Sequence, residues 1–110
     1  MVISLNFGIS QCDMKYIVST IKDFDEIEQA ILFGSRAKGN FKTGSDIDIA
    51  IVGDQVTFTT VACLHSRLED EGPLPYFIDI IDYQHTTHQE LKEHIDRVGV
   101  VIFDRKSAPR

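Results

Sequence analysis

Residues 32–52 have the sequence LFGSRAKGNFKTGSDIDIAIV, in which an apolar run ends at a Gly-Ser pair and a polar spacer leads to a second apolar run. The second run alternates between isoleucines and smaller or acidic residues, as expected of a strand with one buried face. A shift of one residue would expose all of its isoleucines, so the register of this strand is fixed. The isoleucine face is formed by Ile47, Ile49 and Ile51, and the opposite face carries Asp46 and Asp48.

The rest of the chain predicts elements in the order αββαβαβ. A first helix begins at Ser10, with Asp13 as its capping partner, and a last helix begins at a capping box of Thr87 and Glu90. A middle helix begins near Phe58. Strands are predicted over residues 30–33, 46–52, 76–82 and 99–103, with a polar loop over 35–44. We therefore expect an α+β fold, a small mixed β-sheet with helices packed mainly on one face, in a single domain of residues 1–104 with a polar tail over 105–110.

Composition narrows the class of protein. The chain has 110 residues, 43% of them hydrophobic and 25% charged, and a formal net charge of −6. So acidic a chain is not expected to bind nucleic acid strongly by itself. No apolar run approaches the length of a membrane span, and no signal sequence is evident, so we expect a cytoplasmic protein. Cys12 and Cys63 form no metal motif and are expected to be buried thiols.

The two aspartates of the second run are candidates for metal binding. Asp46 and Asp48 lie on one face of a strand, where like charges repel each other. Carboxylate oxygens suit Mg²⁺, which binds through one or two carboxylates together with substrate phosphates. The alternative is a pair of solvated charges on an edge strand.

The residues before the spacer are candidates for phosphate binding. Gly34 lets backbone amides approach a ligand closely, and Ser35 adds a hydroxyl group. Arg36 and Lys38 add positive charge to an otherwise acidic chain. A simple turn with solvated basic residues is the alternative, and the spacing of a Walker A loop is absent.

Together, the Gly-Ser pair, the ten-residue spacer and the Asp-x-Asp strand resemble the signature of the nucleotidyltransferase superfamily that includes DNA polymerase β. The short chain resembles the minimal nucleotidyltransferase (MNT) proteins in particular. The resemblance implies a palm-like fold in which Gly34, Ser35, Arg36 and Lys38 bind the triphosphate of ATP. It also implies that Asp46 and Asp48 bind divalent metal in the form of two Mg²⁺ ions, for which Mn²⁺ can substitute.

The resemblance further implies a third metal-binding and catalytic carboxylate on a neighbouring strand. The segment FIDIID offers Asp79 and Asp82, which face opposite sides of a regular strand. Asp79 lies centrally between apolar residues, whereas Asp82 lies at the strand end, where a capping or solvated role is expected. We therefore expect Asp79 to complete the set. The acidic run over residues 68–72 is interpreted as a solvated helix end.

By the same resemblance, the protein is expected to be the antitoxin of a toxin–antitoxin pair. It would transfer AMP from ATP to a tyrosine of a HEPN-domain toxin, since the sequence leaves no room for an acceptor-binding domain. A homo-oligomer or hetero-oligomer is compatible with this. Two alternatives stay open: a non-catalytic module that neutralises its partner by covering it, and transfer of a nucleotide to RNA or a small molecule.

Overall fold

The computed structural model describes residues 7–39, 42, 45–72 and 74–106, so the predicted tail is described only as far as Lys106. Four helices and four strands follow one another within these residues. They are α1 (Gln11–Lys22), β1 (Gln29–Phe33), α2 (Gly34–Lys38), β2 (Ile47–Val52), α3 (Phe58–Ser66), β3 (Ile78–Asp82), α4 (Gln89–Val98) and β4 (Val100–Asp104). A single π-helical turn, Arg67–Glu71, continues α3. All four predicted strands are confirmed, with ends that differ by at most two residues.

The strands form one mixed sheet in the order β3-β2-β1-β4. Strand β1 is antiparallel to both of its neighbours, whereas β2 and β3 are parallel. Parallel neighbours need a long crossover, and α3 with its π-helical turn provides it. In this topology, the last residues of β1 lie next to the first residues of β2 and β3, at one end of the strands.

The larger core lies on the isoleucine face of β2. The side chains of Ile47, Ile49 and Ile51 are fully buried there, in one cluster with Ile17 and Ile21 of α1. Helix α4 covers part of the other face, where Ile95 packs with Phe33 and Ala50. The α+β fold with its larger helical layer on one face is confirmed. Burial of the alternate residues of β2 is what fixes its register.

Local hydrogen bonds set the helix starts, and one prediction about them is wrong. Ser10 caps α1 by accepting a hydrogen bond from the Asp13 amide at 3.1 Å, as predicted. The expected capping box of Thr87 and Glu90 is absent, because the N-cap of α4 lies one residue later, at His88. The His88 imidazole Nδ1 accepts the hydrogen bond from the Leu91 amide at 3.1 Å and supplies the missing cap.

Both thiols are exposed, so the prediction of buried cysteines is wrong. Cys12 lies in the first turn of α1 and Cys63 on the outer side of α3, while the inner sides of these helices carry isoleucine and leucine. Among the described helices, none has the length and apolar character needed to cross a membrane.

Candidate active site

Three aspartates lie on one face of the sheet, near the ends of the strands where β2 and β3 begin. Asp48 is paired with Asp79 in the parallel register of the two strands, and opposed residues of parallel strands project to the same face. Asp46 precedes Asp48 by two residues and is exposed, as is Asp79, whereas Asp48 is partly buried. The structure therefore places on one face of the sheet the three carboxylates that the sequence analysis selected.

The three charges interact. The pKa of Asp48 is raised from 3.8 to about 6 by burial first, then by repulsion from Asp79 and from Asp46, while Arg36 lowers it. A nearby cation would stabilise the ionised form of such a buried, repelled carboxyl group more than it stabilises an isolated one. Perturbed carboxyl groups of this kind are typical of functional sites.

Gly34 makes close contact with Asp48. Strand β1 pairs with β2 so that Phe33 opposes Asp48, which places Gly34 immediately beside the carboxylate. Gly34 has φ of +78°, and a Cβ atom built on it would overlap Asp48 Oδ2 and lie 3.1 Å from Asp48 Cγ. Both the backbone conformation and the space available therefore require glycine at this position.

Residues Gly34–Lys38 form the short helix α2, not the loop that the sequence predicted. The helix ends at Gly39, whose φ is +87° and whose amide donates a 3.0 Å hydrogen bond to the Ser35 carbonyl. Ser35 is partly buried at the start of α2, and Lys38 is exposed at its end. Ser35 thus follows directly on Gly34, the residue that contacts Asp48.

Arg36 differs from the expectation that it is available to phosphate. Its side chain is only 2% exposed. The guanidinium donates hydrogen bonds to the Ser45 carbonyl at 2.7 and 3.1 Å and to the Phe7 carbonyl at 2.9 Å, and it lies over the Tyr76 ring. Arg36 therefore fixes the backbone just before Asp46. The sequence carried no signal for this role, because the bonded carbonyls come from distant segments.

Asp82 lies away from the three aspartates. It is paired with Ile51, at the far end of β3 and on the other face from Asp79. Its carboxylate accepts a 3.1 Å hydrogen bond from the His85 amide and lies 3.0 Å from the His85 ring nitrogen Nδ1. This arrangement is the turn-capping role expected for Asp82.

The carboxylates suit a divalent cation by charge and ligand type. In the described part of the chain, no three His, Cys, Asp or Glu side chains are arranged so that they could hold a metal ion.

The family model and the curated relative that match this chain are both nucleotidyl-transferring proteins. The family model described as "Polymerase beta, Nucleotidyltransferase" matches residues 15–108. The chain is also similar to "Probable protein adenylyltransferase MntA" of Haemophilus influenzae, with 34% identity over 74 residues, which is 67% of this chain and 64% of that relative. The match thus spans somewhat less than two thirds of the relative's length.

Solved structures share the fold. A chain from the crystal structure of a toxin–antitoxin with AMP-PNP has a TM-score of 0.71 and 22% identity, covering 83% of this chain and 73% of that one. A chain from the tri-AMPylated Shewanella oneidensis HEPN toxin in complex with MNT antitoxin has a TM-score of 0.67 and 19% identity. That match covers 87% of this chain and 73% of the other. At these identities the likeness establishes the shared fold.

Proposed function

The chain belongs to the polymerase β-like nucleotidyltransferase family, and from this premise we propose that it transfers AMP from ATP to a hydroxyl group of another protein. One observation carries the proposal: the β2–β3 register sets Asp79 beside Asp48, next to Gly34 and Ser35. The name of the Haemophilus influenzae relative, a protein adenylyltransferase, supports a protein as the acceptor.

Members of this family typically depend on metal, and we propose Mg²⁺, with two ions held by Asp46, Asp48 and Asp79. Mn²⁺ has the same preference for oxygen ligands and is the natural substitute. When bound, such ions neutralise phosphate charge and polarise the attacking and leaving oxygens. The raised pKa of Asp48 supports this assignment, because burial and then the charges of Asp79 and Asp46 outweigh the opposing effect of Arg36.

The chain's own residues position the reactants. Gly34 and Ser35 would bind the triphosphate, and Lys38, exposed at the end of α2, would add positive charge. The acceptor oxygen attacks the α-phosphorus, the bond from that phosphorus to the bridging oxygen of pyrophosphate breaks, and pyrophosphate leaves. Asp79 is exposed at the strand start and accepts the hydroxyl proton. Such a transfer depends on positioning and charge neutralisation more than on covalent help from the protein.

For the acceptor we propose a tyrosine of a HEPN-domain toxin, with this chain as its antitoxin. The support comes from the solved structures of similar fold, which include an AMPylated HEPN toxin in complex with an MNT antitoxin. The working assembly is then a hetero-oligomer. Since ATP is the donor, we place the reaction in the cytoplasm.

The test compares Asp48→Asn with Asp82→Asn, which removes an acid from the same sheet outside the site. Each protein is mixed with the HEPN-domain partner, ATP and Mg²⁺, and the intact mass of the partner is recorded. We expect wild type and Asp82→Asn to add AMP, and Asp48→Asn to add none while its circular dichroism spectrum is unchanged. Full transfer by a folded Asp48→Asn protein would falsify the assignment.

A second candidate is neutralisation by binding alone. It is favoured by the observation that the described carboxylates do not form a three-ligand metal cluster in this structure. Asp46→Asn combined with Asp48→Asn separates the two functions, because it removes both negative charges of β2 and keeps the surface shape. Equal neutralisation of the toxin by this double variant and by wild type would support binding alone.

A further inference from the structure

Glu69 makes a hydrogen bond that the sequence did not predict. The interpretation of residues 68–72 as a solvated helix end holds for exposed Asp70 but is wrong for Leu68, which is fully buried, and for Glu69, whose side chain is only 22% exposed. The Glu69 carboxylate accepts a 2.7 Å hydrogen bond from the Ile78 amide, the first residue of β3. A distant acid therefore holds the strand that carries Asp79.

The bonded amide lies on the open side of an edge strand. Strand β3 is at one end of the described sheet, with β2 as its neighbour. On the inner side, the Ile47 amide donates to the Phe77 carbonyl at 2.9 Å, and the Tyr83 amide donates to the Ile51 carbonyl at 3.0 Å. Since donors alternate along a strand, these bonds leave the Ile78 amide pointing away from β2. Glu69 supplies the partner that a further strand would otherwise provide.

The π-helical turn brings Glu69 to this position. The turn follows α3 directly, and buried Leu68 anchors it to the core. His65, one turn earlier, places its ring nitrogen Nε2 3.0 Å from the same Glu69 oxygen that accepts from Ile78. Single π-helical turns re-aim side chains and are frequent at functional sites.

We propose that Glu69 is a positioning residue for Asp79. Its carboxylate and strand β2 hold the start of β3 from opposite sides, so that Asp79 stays in register with Asp48. This inference rests on the proposed function, in which Asp79 receives the acceptor proton. Hydrogen bonds from an amide to a carboxylate are short and strong, which suits a residue that must hold an otherwise unpaired edge.

The test uses Glu69→Ala, Glu69→Gln and the matched control Asp70→Ala, an exposed acid in the same turn. We expect Glu69→Ala to lower kcat for AMP transfer by about 10- to 100-fold, because a displacement of a catalytic group such as Asp79 by about 1 Å has an effect of this size. The KM for ATP should change little. Glu69→Gln keeps an oxygen acceptor for the Ile78 amide and should recover most of kcat. Asp70→Ala should match wild type.

Two further measurements do not need the transfer reaction. Amide hydrogen exchange at Ile78 should be faster in Glu69→Ala than in Asp70→Ala, and Mn²⁺ alone, titrated by water-proton relaxation, should bind more weakly. Wild-type kcat in Glu69→Ala would overturn the proposal, as would equal losses in the alanine and glutamine variants. If the wild-type protein transfers no AMP, the proposed function fails. In that case, unchanged Mn²⁺ affinity in Glu69→Ala shows that Glu69 does not position Asp79 either. If Glu69→Ala does not fold, Glu69→Asp takes its place, because its shorter side chain withdraws the acceptor from the Ile78 amide. Wild-type Mn²⁺ affinity and Ile78 exchange in Glu69→Asp would then decide against the proposal.

Discussion

Substitution of Gly34 by alanine tests the contact between the Gly-Ser pair and the face of the sheet that carries the aspartates. Gly34 has φ of +78°, so alanine there adopts a left-handed conformation, which costs about 1–2 kcal/mol. The added methyl group would also overlap Asp48 Oδ2. Forcing extra volume into a packed site costs a further 1–3 kcal/mol, roughly, in the free energy of unfolding.

Gly39 provides a matched control. Its φ is +87°, but no atom of the described residues lies within 4 Å of a Cβ atom built on it. Gly39→Ala therefore has the backbone cost without the contact. The difference in stability between the two variants isolates the collision with Asp48, and we expect Gly34→Ala to be less stable by about 1–3 kcal/mol.

The effect on activity should be larger than the effect on stability. Moving the Asp48 carboxylate by a distance on the order of 1 Å is expected to lower kcat by roughly 100-fold. The assays are urea unfolding of both variants and AMP transfer followed by intact mass. Equal stabilities for the two variants, or wild-type kcat in Gly34→Ala, would refute the close packing of Gly34 on Asp48.

Three further predictions concern other residues. Because the folded pKa of Asp48 is about 6 against 3.8 unfolded, its ionisation destabilises the fold as pH rises through this range. In metal-free buffer, the stability of Asp48→Asn relative to wild type should therefore rise between pH 4 and 7, measured by urea unfolding; a constant difference contradicts this. Arg36→Met leaves two carbonyls unbonded and should cost about 3 kcal/mol in thermal or urea unfolding, whereas exposed Lys38→Met should change stability little. Cys12 and Cys63 should both react with a thiol reagent in the native protein, and protection of either one until unfolding contradicts its exposure.

Much of the active-site face follows from local sequence alone. The alternation of isoleucine and aspartate in β2 fixes which face carries Asp46 and Asp48, because a strand has a period of two. The same reasoning separates Asp79 from Asp82 on β3, and the structure gives them opposite faces and different neighbours.

Errors occurred where a residue's surroundings come from distant segments. Thr87 is a good capping residue by type, but the position at which α4 begins gives that role to His88. The side chains of Cys12 and Cys63 fall on the outer sides of their helices, and helical periodicity alone did not show which sides the core would cover. Helix α2 was predicted as part of a loop because the segment is polar and rich in glycine, which lowers helix propensity, and the folded chain nevertheless forms a helix there.

The strands, the register of β2 and the pair of aspartates on one face follow from local sequence, because they depend on periodicity over a few residues. Tertiary packing lays β3 parallel to β2 and thereby sets Asp79 beside Asp48. It also decided that Arg36 is buried against Ser45 and that Glu69 holds the edge of β3. These contacts join residues nine or more positions apart, and the choice among such partners is made by the packing of the whole chain.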